Sequence, residues 1–187
     1  SWYRRQRQMC IRDRVMGALM QFRDELAQQH QHPSFAVNVP TLNLGCLRAG
    51  DNPNRICGHA ELQIDLRLLP GMDSDAIHKQ LEQRCHDAVA GSHTQLTVST
   101  VYPPIPPFES AADGELTTTL AALSGKAPGT VAFGTEAHFL QTLGMQTVVW
   151  GPGSIDQAHQ PNEYLEQSHI RPAIETLQQV IGRYCLA

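Results

Sequence analysis

The sequence lacks the features that mark membrane, secreted and disulfide-bonded proteins. Among its 187 residues, no apolar run approaches the roughly 18 that a membrane-spanning helix needs. The first residues, Ser-Trp-Tyr-Arg-Arg-Gln-Arg-Gln, contain no apolar segment of the kind that a secretory signal carries. The five cysteines are scattered and form no C-x-x-C pair, which disfavours a zinc ribbon and a disulfide framework. We therefore expect a cytoplasmic protein with reduced thiols and no membrane partner.

Several common catalytic and nucleotide-binding signatures are absent as well. The sequence has no G-x-G-x-x-G, no P-loop, no H-E-x-x-H and no G-x-S-x-G. These absences disfavour a dinucleotide or nucleoside triphosphate site, a helical zinc-protease motif and a serine nucleophile on a strand-to-helix turn.

Positive charge is concentrated at the start of the chain. Five arginines against Asp13 give residues 1–14 a net charge of +4, whereas the whole chain carries −4, so that the rest carries −8. A basic arm can bind nucleic acid, but no recognition motif or basic patch continues this one. We expect residues 1–14 to be a leader outside the fold and no nucleic-acid partner.

Apolar periodicity predicts an order of helices and strands before residue 102. An apolar stripe every three to four residues indicates a helix over about 14–30, and a second helix follows a cap at Ser74. Alternation indicates strands at 41–47, 59–67 and 95–101, with one buried and one polar face. Adding one strand in front of this order would give the split βαβ, ferredoxin-like unit. The helix stripes consist of Val15, Leu19, Phe22 and Leu26, and of Ile77, Leu81, Cys85 and Ala88.

A second region begins after a proline-rich connector. Residues 102–108 contain four prolines and read as a stiff boundary rather than a packed element. Beyond it, an α/β alternation is predicted: helix 114–123 capped by Asp113, strand 130–133, helix 136–143, strand 146–150 and helix 169–184 capped by Ser168. The core stripe of the last helix consists of Ile170, Ile174, Leu177, Ile181 and Tyr184.

The residues alone place candidate chemistry in two glycine-containing loops of the second region. Each loop follows a predicted strand: one around Gly134 and Thr135, the other from Gly151 past Gly153 to His159. Ligands in open α/β sheets gather beyond the carboxyl ends of strands, although both loops can equally be ordinary turns and His159 can be merely solvated. A metal site needs several converging ligands, and the pattern by itself offers at most one.

Six segments together resemble the M20 metallopeptidase family, and the resemblance runs from about residue 15 to the C-terminus. The last of them is the most specific. They are Pro-Thr-Leu-Asn-Leu-Gly (40–45), Asn-Arg-Ile-Cys (54–57), Asp-Leu-Arg-Leu-Leu-Pro-Gly-Met (65–72), Pro-Pro-Ile-Pro (103–106), Gly-Thr-Glu-Ala (134–137) and Gly-Pro-Gly-Ser-Ile-Asp-Gln-Ala-His-Gln-Pro-Asn-Glu-Tyr-Leu (151–165).

The resemblance implies an α+β ferredoxin-like dimerisation (lid) domain at 15–108. The C-terminal part of an α/β catalytic domain, which uses two Zn²⁺ or Co²⁺ ions, then follows at 109–187. The implied reaction is hydrolysis of a small-molecule N-acyl amino acid by metal-bound water, and the resemblance favours N2-acetyl-L-ornithine as substrate. It also implies a homodimer formed through the lid.

Individual residues acquire roles by the same resemblance. His159 matches the last metal ligand, and Asn54 and Arg67 match a lid pair that holds substrate in the partner subunit's site. Arg67 suits this role because its planar guanidinium can bind a carboxylate with two hydrogen bonds. Gly134, Thr135 and Gly153 match the substrate-binding rim.

The chain departs from the family pattern in what it omits. Segments matching the H-x-D motif, the bridging aspartate, the glutamate base and the first strand of the lid are not found, so no catalytic residue is assigned. We expect this chain alone to be inactive and to hold no metal. A related desuccinylase or carboxypeptidase activity stays open, as does a non-catalytic dimerisation module.

The omitted strand carries a structural expectation. It would be central in a ferredoxin-like sheet, so that strands 41–47 and 59–67 can still form a hairpin while 95–101 loses its neighbour. We expect either a gap beside 95–101 or another segment filling it, with the leader as the nearest candidate. Unpaired strand edges should favour dimers and larger aggregates.

Overall fold

A computed structural model describes residues 2–52, 54 and 57–186, and the chain divides into two compact units. Unit 1 consists of Ser1–Pro107 together with Thr130–Gly134, and unit 2 consists of Phe108–Gly129 together with Thr135–Ala187. None of the helices in the described part of the chain combines the length and apolarity that crossing a bilayer requires.

Unit 1 begins with helix α1, Trp2–Gln29. The helix starts twelve residues before the predicted boundary at 14 and includes most of the segment expected to be a leader. Its apolar stripe faces the core as predicted, with Leu19, Phe22 and Leu26 buried and Val15 packed at the edge. Residues 2–14 are helical, so they do not enter the sheet as a substitute strand.

Strands β1, Thr41–Ala49, and β2, Ala60–Arg67, form the predicted hairpin. They pair antiparallel, and Thr41 lies opposite Arg67 at one end while Ala49 lies opposite Ala60 at the other. The register shifts between Leu44 and Cys46, which leaves one extra residue on β1. Alternation places Leu62, Ile64 and Leu66 of β2 against the core and their neighbours outside.

Helix α2, Ser74–Val89, packs beside α1 on the same core. Its cap is Asp73 rather than the predicted Ser74, because the Asp73 carboxylate accepts hydrogen bonds from the amides of Asp75 and Ala76, both at 3.0 Å. Ile77, Leu81 and Cys85 are buried as predicted, and Val89 is buried more fully than the predicted Ala88.

Burial raises the pKa of the Cys85 thiol, and the charge of Glu82 acts in the same direction. On the partly exposed side of the contact, the Arg84 guanidinium binds the Glu25 carboxylate and lies 4.8 Å from the centre of the Phe22 ring. The hydrogen bond from Arg84 lowers the pKa of Glu25.

The predicted strand at 95–101 is wrong for this chain. The sheet of the described residues contains β1 and β2 alone, and residues 95–100 have no regular secondary structure. Leu96 and Val98 nevertheless pack against the core. A strand needs the hydrogen-bond ladder of a neighbour, and here the apolar residues are partly buried without one. Two helices on a two-stranded antiparallel sheet are part of the expected lid.

Unit 2 contains helices α3, Glu115–Ser124, α4, Ala137–Thr142, and α5, Gln167–Cys185, with a 3-10 helix at Ile155–Gln157. Gly114 precedes α3 and Glu166 precedes α5, in place of the predicted caps Asp113 and Ser168, and neither makes a side-chain cap. The predicted strands 130–133 and 146–150 are not formed in the described residues. Of the expected α/β alternation, these residues therefore form the helices but not the strands.

Helices α3 and α5 pack through a small contact. Thr117 and Leu120 of α3 and Ala173 and Thr176 of α5 are buried. The predicted core stripe of α5 is wrong in one respect: its members have the expected spacing, but all of them are exposed. They are Ile170, Ile174, Leu177, Ile181 and Tyr184.

Candidate functional site

Arg67 lies at the end of β2, on the polar face of the hairpin. Its Nε atom donates to Asp65 Oδ2 at 2.8 Å, and its Nη1 atom donates to the carbonyl oxygen of Ala132 at 2.9 Å. The side chain remains largely exposed. Its orientation is therefore held from two sides while part of the guanidinium stays open to a ligand.

Asn54 lies at the opposite end of the hairpin from Arg67. It belongs to the turn between β1 and β2, where its backbone N–H donates to Asn52 Oδ1 at 3.1 Å. Strand β2 alone spans roughly 23 Å at about 3.3 Å per residue. Within one chain, the structure therefore does not bring Asn54 and Arg67 together, and their joint role in one substrate site stays a prediction that involves two subunits.

The segment Thr130–Gly134 of unit 1 is fixed close to Arg67. Thr130 Oγ1 donates to the carbonyl oxygen of Ser34 at 3.2 Å and accepts from the Ala36 amide at 3.3 Å. Because Arg67 contacts Ala132, the exposed Gly134 follows two residues after that contact. The structure thus places the Arg67 guanidinium and the glycine-containing segment in one neighbourhood.

Thr135 begins the turn into α4, where its hydroxyl accepts from the Ala137 amide at 3.2 Å. This bond occupies one of the backbone amides that a helix start leaves without an intrahelical partner. His138, which follows Ala137 in α4, is buried. Neither of its ring nitrogens has a hydrogen-bond partner within the described part of the chain. In the sequence, the apolar residues around His138 were the signal for its burial.

The loop after residue 150 has an unusual backbone. Gly153 has a φ of +89°, and a Cβ atom there would lie 3.0 Å from Cδ1 of Leu165. The Ser154 hydroxyl then accepts from the Asp156 amide and caps the 3-10 helix. A cavity of about 60 Å³ follows, lined by Gly153, Ser154, Gln157, Tyr164, Glu166 and His169. The positive backbone angle at position 153 therefore favours glycine.

His159 is exposed in this loop and has a φ of +62°, and Asn162 has a φ of +69°. Non-glycine residues rarely adopt this left-handed region. Those that do often lie at functional sites. The His159 N–H donates to Glu163 Oε2 at 3.2 Å, so that the Glu163 carboxylate holds the turn. The His159 ring is not needed for that contact.

The donor set around His159 does not fit a complete metal site. A zinc ion takes three or four protein ligands. Among the described residues there is no group of three or more histidine, cysteine, aspartate or glutamate side chains that could hold a metal ion. His159 can therefore supply one ligand of a metal site.

Comparison with known proteins identifies the first region. Residues 13–92 match the family model M20_dimer, described as a peptidase dimerisation domain. The matched range contains the α1 stripe, the β1–β2 hairpin and α2. The fold and this match together identify residues 13–92 as an M20-type dimerisation domain.

The longer matches are to acetylornithine deacetylases. The chain is 41% identical over 175 residues to that of Aliivibrio fischeri (strain MJ11), which covers 94% of the chain and 46% of the relative. It is 42% identical over 171 residues to those of Klebsiella pneumoniae (strain 342) and Salmonella arizonae, covering 91% of the chain. These matches confirm the resemblance to the M20 family that the sequence motifs predicted, and the relatives that the chain resembles are named acetylornithine deacetylases. The chain spans about half the length of these relatives.

Proposed function

We propose that this chain is part of a metal-dependent amidohydrolase that converts N2-acetyl-L-ornithine to ornithine and acetate in arginine biosynthesis. The observation that carries the proposal is identity of about 41% over 94% of the chain to proteins named acetylornithine deacetylase. The described residues supply binding groups and one candidate ligand, so the chain by itself is expected to be inactive.

Arg67 is proposed to bind the carboxylate of the substrate. Its guanidinium is exposed and is oriented by Asp65 and Ala132. Gly134 lies two residues after Ala132 in the chain. A planar guanidinium can pair with a carboxylate through two parallel hydrogen bonds. Asn54 would contribute from the other end of the hairpin, in the site of the partner subunit. Thr135 and Gly153 are proposed to form the rim.

His159 is proposed as one ligand of a Zn²⁺ or Co²⁺ site completed by residues outside this chain. Its exposed ring and its left-handed backbone, stabilised through Glu163, support this role. We expect that the chain alone retains no stoichiometric zinc after dialysis against a weak chelator. Tight binding of one zinc ion that His159→Ala abolishes would show a complete local site and contradict the assignment.

The lid is proposed to form a homodimer. The match of residues 13–92 to a peptidase dimerisation domain supports this assembly, and β1 has one edge that β2 does not cover. Cys46, Cys57, Cys85 and Cys185 are free thiols, in keeping with the proposed cytoplasmic location. Neither nucleic acid nor membrane is proposed as a partner.

A chimera tests the activity. Residues 13–187 would replace the matching stretch of the Aliivibrio fischeri relative, and release of ornithine from N2-acetyl-L-ornithine would be measured with Zn²⁺ or Co²⁺ present. N-succinyl-diaminopimelate and a dipeptide serve as competing substrates, because the desuccinylase and carboxypeptidase alternatives predict their preference. The unmodified relative is the control for folding and metal loading. Preferred hydrolysis of another substrate would overturn the proposed specificity.

A dimerisation module without catalysis is the second candidate. The observation that favours it is that the matching family model describes a dimerisation domain. It predicts a chimera that dimerises, retains metal and hydrolyses none of the three substrates. The same experiment therefore separates the two candidates.

A further inference from the structure

Asp65 is held against Arg67 on the exposed face of β2. Alternation along the strand places four exposed polar residues on this face: Glu61, Gln63, Asp65 and Arg67. Asp65 Oδ2 accepts a hydrogen bond from Arg67 Nε at 2.8 Å. The residues that pair with them on β1, Asn43 and Thr41, carry no charge. In this part of the sheet, the Asp65 carboxylate therefore supplies the negative charge beside Arg67.

The two contacts of Arg67 decide which of its donors remain open to a ligand. A guanidinium has five N–H donors in one plane, one on Nε and two on each terminal nitrogen. Asp65 takes the Nε donor, and the carbonyl oxygen of Ala132 takes one Nη1 donor at 2.9 Å. A carboxylate that forms two parallel hydrogen bonds needs a pair of neighbouring donors. Because Nε is occupied, an incoming carboxylate meets the two terminal nitrogens, Nη1 and Nη2.

We propose that Asp65 is the positioning residue for Arg67, and that its charge makes the site prefer an N-acyl amino acid with a cationic side chain to one with an anionic side chain. The proposal rests on the proposed function, in which Arg67 binds the carboxylate of the substrate. Arg67, Asp65 and one substrate carboxylate together carry one net negative charge. A second carboxylate on the same small molecule adds to this charge, whereas an ammonium group balances it.

This charge balance bears on the choice among the candidate substrates. N2-acetyl-L-ornithine has one carboxylate and one side-chain ammonium group, so that it supplies the anion for Arg67 and a cation for the remaining negative charge. N-succinyl-diaminopimelate has several carboxylates and is a net anion. The Asp65 charge therefore favours the ornithine derivative and disfavours the substrate of the desuccinylase alternative.

The chimera tests the preference with three compounds of different side-chain charge. They are N2-acetyl-L-ornithine, the uncharged isostere N-acetyl-L-norleucine and the anionic N-acetyl-L-glutamate. Asp65→Asn keeps an oxygen that can accept from Arg67 Nε but removes the charge. We expect it to lower the kcat/KM ratio of the ornithine to the glutamate compound at least about threefold, the size of a like-charge interaction at an exposed site, and to change the KM of the norleucine compound less than about twofold.

Asp65→Ala removes both the charge and the acceptor. It should lower the same ratio and also raise the KM of the norleucine compound at least about threefold, with kcat little changed, because the guanidinium is no longer held. Glu61→Gln is the matched control. It removes a charge from the same strand face roughly 13 Å from Asp65, beyond the Debye length of about 8 Å at physiological salt, and should leave the ratio and KM within about twofold.

Nuclear magnetic resonance of the 187-residue chain tests the positioning without any catalysis. Loss of one resonance in Arg67→Lys identifies the Arg67 Nε–H. Its exchange with water should be at least about threefold slower than that of Arg48, whose contact with Glu61 is made by Nη1 at 3.9 Å. Asp65→Ala should remove this difference, and Asp65→Asn should keep part of it.

The outcomes separate this proposal from the proposed activity. If the chimera hydrolyses none of the compounds, the proposed activity fails, and dissociation constants of the same three compounds then measure the preference. An unchanged preference in Asp65→Asn, or binding of none of the compounds, overturns the charge role. Exchange of the Arg67 Nε–H that is as fast in the parent chain as that of Arg48 overturns the positioning role.

Discussion

Replacing Phe22 by alanine should strongly destabilise unit 1. The Phe22 side chain is 1% exposed at the centre of the cluster that joins α1, β1 and α2. Its ring also lies 4.8 Å from the guanidinium carbon of Arg84. The substitution removes the ring and leaves a cavity between elements that are already held by the hairpin, so that the site can collapse only in part.

The expected loss can be estimated from these contacts. Phe→Ala in a core costs about 3–5 kcal/mol of unfolding free energy, and the interaction with the partly exposed Arg84 accounts for about 0.5–1 kcal/mol of it. The free energy of unfolding of a whole domain is typically about 5–15 kcal/mol. The variant should therefore lose a large part of its free energy of unfolding.

Urea unfolding followed by far-ultraviolet circular dichroism measures the loss. With a urea dependence of about 1–3 kcal/mol per molar, the midpoint should fall by at least about 1 M. Gln28→Ala, on the exposed side of the same helix, should remain within about 0.5 kcal/mol of the parent chain. A Phe22→Ala variant within about 1 kcal/mol of the parent would refute the assignment of this core.

Three further predictions concern the site and the electrostatics. In the chimera, Arg67→Ala should lower kcat/KM roughly 10- to 150-fold, equivalent to about 1.5–3 kcal/mol, and Arg67→Lys should restore it only in part because lysine lacks the planar fork; a change within about threefold would contradict the role of Arg67. The hydrogen bond from Arg84 lowers the pKa of Glu25, so the stabilisation from this pair is present above the ordinary glutamate pKa of about 4.3 and is lost as the pH falls through the pKa of the folded state. In urea titrations, the stability of Glu25→Gln should therefore depend less on acid pH than that of the parent chain. An unchanged acid dependence would rule out the pair as its source. Gly153→Ala should destabilise the loop by about 1–2 kcal/mol, since alanine tolerates a positive φ poorly, whereas Gly151→Ala should be nearly neutral in thermal unfolding; equal effects would show that the backbone angle does not decide the difference.

The sequence predicts correctly the helices and strands whose pattern depends on residues that are close along the chain. The hairpin of β1 and β2 followed from alternation, because side chains on a strand point to opposite faces with a period of two. The α1 and α2 stripes likewise followed from the helical period. Candidate site residues came from motif resemblance, and their loops were placed correctly as loops because glycine and proline interrupt regular structure.

Tertiary structure decided which of these patterns is buried. The stripes of α1 and α5 have the same spacing, but α1 has a hairpin and α2 to pack against, whereas α5 has only the small strip on α3. Residues 95–101 have strand-like alternation, yet a strand requires a paired neighbour and none reaches them in the described chain.

The relation between candidate site residues was also a tertiary result. Asn54 and Arg67 are thirteen positions apart in sequence, and the extended β2 strand holds them at opposite ends of the hairpin. Arg67 instead lies beside Ala132, 65 positions away. Sequence alone thus determined the local elements and the residue types available for chemistry. Folding determined their neighbours, because burial and hydrogen bonding depend on segments that are distant along the chain.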